Sequence, residues 1–157
     1  MKSVKLLFLS SLMTFSFSIY CNAQFKEILP AAEKGDVFSQ LVMGNAYYTG
    51  SGIEKNYTKA FFMYEKAAKQ NEPAAQYGLA LCYENGYGVQ QSYAKSFYWF
   101  KKSAENGLAR SQYELGNAYY LGKGCEANKD LAIFWLRKAC ENTNDKACEM
   151  LNTIKSK

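Results

Sequence analysis

The stretch QLVMGNAYYTGSG, residues 40–52, returns in this chain as QYGLALCYENGYG at residues 76–88 and as QYELGNAYYLGKG at residues 112–124. Each copy starts with glutamine, carries a tyrosine seven residues later, and closes with glycine, any residue and glycine. The copies lie 36 residues apart, an interval typical of stacked supersecondary units. The pattern therefore predicts a solenoid, and solenoids usually act by binding along an extended surface.

Each copy is predicted to form the first helix of a helix pair. In the middle copy Gln76, Leu79, Ala80 and Tyr83 fall at offsets 0, 3, 4 and 7, which is one face of a helix. The small residue at the third of these positions lets a neighbouring helix approach closely. The glycines that follow should end the helix, because glycine adopts the left-handed C-cap conformation most easily.

We call the segment of glycine, any residue and glycine that closes each copy the glycine step. A second helix is predicted after each glycine step. Large and small residues alternate there at helical spacing, as in Trp99, Phe100 and Ser103, so we interpret these aromatic residues as core. The polar residues at its predicted N-cap positions are Asn56, Ser92 and Asn128.

The repeat resembles the Sel1-like family, a branch of the tetratricopeptide-like helical solenoids. Parts of the family signature are present in the third repeat as Leu115, Gly116, Tyr119, Gly122, Gly124, Trp135, Lys138 and Ala139. Ala80, Cys125 and Met63 stand where the family has glycine, valine and tryptophan. The resemblance covers residues 25–155 and implies an all-α, right-handed α/α solenoid of three 36-residue helix pairs with half-repeat caps. It also implies adaptor or scaffold roles, but no single activity.

The predicted organisation is one repeat domain behind a leader. The leader, residues 1–23, is predicted to be a signal peptide, because a basic start precedes an apolar run too short for a membrane anchor. The domain is predicted to cover residues 24–157, with repeats at about 36–71, 72–107 and 108–143 and a terminal cap helix at 144–155.

Small residues before Gln24 mark the predicted cleavage point of the leader. Cleavage before Cys21 would instead produce a lipoprotein, an alternative that the bulky preceding Tyr20 disfavours. The sequence thus indicates a periplasmic or secreted bacterial protein, which we expect to be a monomer.

Composition excludes several kinds of function. The chain contains no histidine, which removes the commonest general base and metal ligand. Removal of Lys2 and Lys5 with the leader would lower the formal net charge from +5 to +3. That charge is too small, and too evenly spread along the sequence, to predict binding to nucleic acid or to an anionic membrane. We therefore expect no nucleic acid partner, no small-molecule substrate, no cofactor, no bound metal and no catalytic residue.

One motif suggests an enzyme, since some cysteine-rich relatives have been described as penicillin-binding or β-lactamase-like. Ser92 and Lys95 match the S-x-x-K pattern of such enzymes. When the repeats are aligned, however, Ser92 takes the position of the predicted N-cap residue and Lys95 takes the position of Lys59. The S-x-N and K-T-G motifs that such enzymes also have do not accompany them. We interpret both residues as parts of the repeat.

Cys140 and Cys148 are the best candidates for a disulfide. They lie at two repeat positions that face each other where the last helix pair meets the terminal helix. At the other boundaries between units, these two positions hold alanine and glutamine. A similar C-x7-C pair marks the cysteine-rich secreted members of the resembled family, in which it staples helices of adjacent units. We interpret Cys82 and Cys125 as small hydrophobic residues, although a second bridge between them stays open. The cysteine spacing does not suggest a metal site.

The first helices of such a stack line its concave side, and offsets 1, 5 and 8 of each are predicted to be exposed there. Tyrosine is common at this stripe and supplies contact area with a polar tip, so we expect a protein partner to bind it. Packing between adjacent first helices is the alternative. The residues of this concave stripe are Leu41, Asn45, Tyr48, Tyr77, Leu81, Glu84, Tyr113, Asn117 and Tyr120.

Two functions from different classes fit these expectations. The first is an exported interaction or scaffold module with an unspecified protein partner. The second is an immunity protein that neutralises a toxin directed at the bacterial envelope.

Overall fold

Eight α-helices make up the computed structural model, which describes residues 25–155 and has no β-strand within that range. The predicted signal peptide, its cleavage point before Gln24 and Cys21 lie outside the described residues. The helices are α1 at 25–33, α2 Val37–Thr49, α3 Tyr57–Lys69, α4 Pro73–Asn85, α5 Tyr93–Glu105, α6 Ala109–Leu121, α7 Lys129–Glu141 and α8 Asp145–Lys155.

The helices pack as consecutive antiparallel pairs, so the predicted α/α solenoid of three repeats is confirmed. Within each repeat the first helix (α2, α4 or α6) packs on the second (α3, α5 or α7), and each second helix packs on the next first helix. Helix α2 also packs directly on α4, whereas no two second helices do so to a comparable extent in the described part. The first helices therefore lie on the inner side of the stack. None of the described helices is long and apolar enough to cross a lipid bilayer.

The second helices begin at the predicted cap residues. The side chain of Asn56 accepts a hydrogen bond from the Lys59 amide at 2.9 Å, and that of Asn128 accepts one from the Leu131 amide at 2.9 Å. Each bond satisfies an amide that has no partner within the helix.

In the second and third repeats the two glycines of the glycine step have different roles, which the sequence did not distinguish. Gly86 ends α4 in the left-handed conformation, with φ of 72°, and its amide donates to the Cys82 carbonyl. Gly88 also has a positive φ, but it lies directly against the backbone of Tyr57 in the preceding repeat. A Cβ atom there would clash with that backbone, so the second glycine fixes the contact between repeats.

The glutamine that begins each repeated stretch joins its repeat to the preceding helix through a hydrogen bond. Gln76 is almost fully buried, and its Nε2 donates to the carbonyl of Ala68 at 3.3 Å. Its Oε1 accepts a hydrogen bond from Asn106 Nδ2 at 3.0 Å. Gln40 and Gln112 donate in the same way to Ala32 and Ala104. Burial of this amide is tolerated because both of its ends are paired.

A disulfide between Cys140 and Cys148 joins α7 to α8. Eight residues separate the two cysteines, the same separation as between Gln76 and Ala68. The bridge therefore takes the place that the glutamine hydrogen bond has at the other junctions. Cys82 and Cys125 are not paired with each other.

Candidate functional site

A depression of about 320 Å³ opens on the inner side of the stack, between α2 and α4. We call it the inner recess. Four residues of the concave stripe, Leu41, Tyr48, Tyr77 and Leu81, line it together with Arg110 at the start of α6. Asn45 of the same stripe also lines it. The structure thus brings five of the nine predicted stripe residues together around one mostly apolar hollow.

Aromatic packing holds one wall of the inner recess in place. The ring of Tyr48 contacts those of Tyr57, Tyr64 and Tyr87, at centroid distances of 5.6, 6.3 and 5.8 Å. Tyr64 donates its hydroxyl hydrogen to Asn45 Oδ1 at 2.8 Å. Burial raises the pKa of Tyr48, because the phenolate would be poorly solvated there.

Tyr77 and Tyr113 are less free than the sequence suggests. Both are half-buried. Tyr77 packs on the Phe100 ring with a centroid distance of 5.7 Å, and Tyr113 packs on the apolar cluster shared by α7 and α8. Neither ring stands clear of the packing face, because Tyr77 packs on the second helix of its own repeat and Tyr113 packs on α7 and α8. Truncating either ring should therefore lower stability as well as change the surface.

The other stripe residues lie away from the inner recess. Glu84 and Asn117 line a small cavity of about 10 Å³ between α4 and α6, which is roughly the size that holds one water molecule. Tyr113 lines a larger hollow of about 760 Å³ near the start of α8, together with Arg110 and Lys146. Tyr120 is exposed near the end of α6.

A charged cluster beside the stripe includes one residue that sequence reasoning missed. Lys123 Nζ lies 2.7 Å from Glu84 Oε1, and this hydrogen bond raises the lysine pKa. Glu114 is half-buried nearby, and its pKa is raised first by burial and then by the Glu84 carboxylate. Lys123 and Lys146 act in the opposite direction. Glu114 stands at the repeat position that holds Val42 and Gly78 in the first two repeats. A charged residue at this position was the signal that could have identified it.

The residues that suggested an enzyme have structural roles. The Ser92 hydroxyl accepts a hydrogen bond from the Lys95 amide at 3.3 Å and caps α5. The Lys95 ammonium lies over the Tyr83 ring, 5.3 Å from its centroid. No cluster of potential metal ligands occurs among the described residues.

The unpaired cysteines are poor nucleophiles. Cys82 is completely buried, and burial raises its pKa to about 12. Cys125 is half-buried and donates weakly to the Ala118 carbonyl at 3.6 Å. A protonated thiol is unreactive, so neither residue resembles a catalytic cysteine.

These features define the protein as an α/α solenoid of repeated helix pairs with a recess on its inner side. The family model of the Sel1 repeat matches residues 37–72, 73–108 and 109–144. The chain therefore belongs to the Sel1 repeat family. Sel1 repeat proteins are generally protein-interaction scaffolds and typically lack enzymatic activity. No curated protein sequence matches this chain.

Solved structures of three proteins are similar to this one. A protective antigen of uropathogenic Escherichia coli with an SLR fold superposes with a TM-score of 0.80 at 35% identity, over 82% of this chain and 28% of the antigen. A Sel1 repeat protein from Oxalobacter formigenes gives a TM-score of 0.80 at 33% identity, over 87% of this chain and 56% of that protein. Helicobacter pylori cysteine-rich protein B gives 0.68 at 25% identity, over 85% and 96%. The chain spans less than two thirds of the first two relatives.

Proposed function

We propose that this chain is an exported interaction module that binds a protein partner at the inner recess. The observation that carries the proposal is the joining of Leu41, Tyr48, Tyr77 and Leu81 from two consecutive repeats around one hollow. Tyrosine is one of the residue types enriched among the few residues that dominate the binding free energy of protein interfaces. The general role of the family as an interaction scaffold supports the same function.

The electrostatics of the inner recess favour a partner that inserts an apolar side chain. Leu41 and Leu81 offer no polar group, while the hydroxyl groups of Tyr48 and Tyr77 and the guanidinium of Arg110 can fix the orientation of the inserted segment. Burial, and then the Glu114 carboxylate, raise the pKa of Tyr77 above its ordinary value.

Export is part of the proposal, to the periplasm or the cell exterior, with cleavage before Gln24. The disulfide of Cys140 and Cys148 fits an extracellular or periplasmic protein, since such bonds persist in oxidising compartments. Neither alternative, an inhibitor of an envelope-targeted toxin or a β-lactamase-like enzyme, is supported by the fold or by the family.

Substitutions within the inner recess test this function. In affinity capture from the cell envelope, Leu81→Lys should weaken retention of the specific partner about tenfold, equivalent to about 1.4 kcal/mol. The reason is that it places a charge where an apolar group should dock. Tyr77→Ser should have a similar effect, together with a lower melting temperature because it removes contacts with Phe100.

The matched control is Phe38→Ser, a change at an exposed aromatic residue of α2 that does not line the inner recess. It should leave retention unchanged. If the Leu81→Lys protein melts like wild type and retains the same partner equally well, the inner recess is not the binding site.

A further inference from the structure

The second helices carry an exposed aromatic residue at one fixed position in every repeat. We call Phe62, Tyr98 and Phe134 the outer aromatic row. They are 36 residues apart on α3, α5 and α7, with exposed fractions of 53%, 51% and 47%. Core packing does not explain them, because the buried columns of these helices are filled by other residues. An apolar surface that recurs in register is a feature of interaction sites.

Each ring of the outer aromatic row is supported by a neighbouring ring of its own helix. Phe62 lies edge-on to Phe61 at 5.8 Å, and Tyr98 lies edge-on to Trp99 at 5.2 Å. Phe134 contacts Trp135 in the same way at 5.2 Å. These contacts support the rings on the surface of the second helices, and none of the three rings lines the inner recess.

Positive charge concentrates on the same helices. Helices α3, α5 and α7 contain nine lysine or arginine residues and four acidic residues, and all nine basic side chains are exposed. Helices α2, α4 and α6 contain one arginine and two glutamates. The charge that looks evenly spread along the sequence is therefore concentrated on the second helices.

A lysine follows each ring of the outer aromatic row by one helical turn, at Lys66, Lys102 and Lys138. Lys138 Nζ lies 5.0 Å from the centroid of the Phe134 ring, and Lys102 Nζ lies 5.9 Å from that of Tyr98. These two ammonium groups thus lie over the ring faces as cation–π contacts, and both lysine side chains are exposed to solvent. Aromatic rings with adjacent lysines are typical of the water–lipid interface, where the ring enters the headgroup layer and the ammonium pairs with lipid phosphate.

We propose that the outer aromatic row and its three lysines form a docking face for a bilayer rich in anionic phospholipid. The chain would lie on the membrane surface, held by shallow insertion of three rings and by attraction between lysines and phosphate. An acidic protein is a less suitable occupant, because the face repeats one ring and one lysine in register, which matches a laterally uniform sheet of headgroups. Docking in this orientation leaves the inner recess free, so this inference does not depend on the proposed function.

Vesicle sedimentation tests the docking face, with protein recovered from cells so that every variant has the same N-terminus. Wild type should bind vesicles of phosphatidylcholine and phosphatidylglycerol about tenfold more tightly than vesicles of phosphatidylcholine alone, and added salt should weaken the binding. The aromatic variant F62S/Y98S/F134S should bind the mixed vesicles about tenfold less tightly than wild type. The charge variant K66E/K102E/K138E should lose the preference for phosphatidylglycerol.

Two controls separate this face from the rest of the molecule. Phe38→Ser removes an exposed aromatic residue from a first helix, and Leu81→Lys alters the inner recess; both proteins should bind vesicles like wild type. Equal binding of wild type to both kinds of vesicle would overturn the inference. So would a folded aromatic variant that binds mixed vesicles like wild type. Binding to polyglutamate without binding to vesicles would assign the face to an acidic protein instead.

Discussion

At the scale of single residues, buried polar groups define how the repeats join. Gln76 bonds to a carbonyl of the preceding helix pair and to the Asn106 side chain at the end of its own repeat. An apolar residue of similar size would bury as much surface, but it would leave two polar groups without partners. The glutamine therefore specifies both the distance between the repeats and their register.

The variant Gln76→Ala should lower the free energy of unfolding by about 1–3 kcal/mol, because the Ala68 carbonyl and the Asn106 amide lose their partner in a buried site. Urea titration followed by circular dichroism measures this change. Gln90→Ala, at an exposed position, is the matched control and should be neutral. Equal effects of the two substitutions would show that the buried hydrogen bonds contribute nothing specific.

Glu114 should make stability depend on pH. Because its pKa in the folded protein is raised, folding is opposed by this group when it is ionised, and the opposition disappears below the pKa of the unfolded chain, about 4.3. Glu114→Gln should therefore raise the melting temperature at pH 7, and the gain should shrink as the pH falls toward 4. The repulsion from Glu84 adds to the gain, and Lys123 and Lys146 reduce it. A gain that is constant across this range would contradict the assignment.

At the scale of helices, α8, the last helix of the described range, makes fewer contacts with its described neighbours than the inner helices do. It packs on α7, and Ala147, Leu151 and Ile154 bury its apolar face there. A helix with so few contacts opens easily unless it is held by something more. The disulfide of Cys140 and Cys148 supplies this, at the position where the inner junctions use a hydrogen bond.

Replacing the bridge tests this equivalence. C140A/C148A should lower the free energy of unfolding by about 2.5 kcal/mol, because the unfolded chain regains the freedom of a short loop. C140A/C148Q restores the alanine and glutamine of the other junctions and should recover about 1 kcal/mol, the value of one hydrogen bond. Chemical denaturation of the three proteins measures both steps. If the glutamine variant is no more stable than the alanine variant, the two kinds of junction are not interchangeable.

At the scale of the whole molecule, the repeat produces two surfaces with different chemistry. The first helices meet on the inner side and enclose the inner recess, which is mostly apolar and carries few charges. The second helices present the outer aromatic row together with nine basic side chains. A partner in the inner recess and a membrane at the outer side could therefore be bound at the same time, since no residue belongs to both sites.

Sequence patterns were sufficient for the helix pairs, the N-caps of the second helices and the C-cap glycines. Asn56 and Gly86 could be assigned because capping depends on residues close to each other in the chain. The exposure of Tyr77 and Tyr113 could not be predicted from the same pattern. The helical period of a sequence shows which face of the helix a residue is on. It does not show how closely the neighbouring helices approach that face.

The sequence by itself determined the repeating helix pair and the number of its copies. The reason is that a period of 36 residues, with glutamine, tyrosine and glycine at fixed positions, leaves one way to pair the helices. Only the tertiary structure decided where surfaces form. Stacking brings α2 against α4, which creates the inner recess, and packing on Phe100 helps to half-bury Tyr77. The same stacking aligns Phe62, Tyr98 and Phe134 and gathers the basic charge on one side, because positions far apart in sequence become neighbours only when the repeats are superposed.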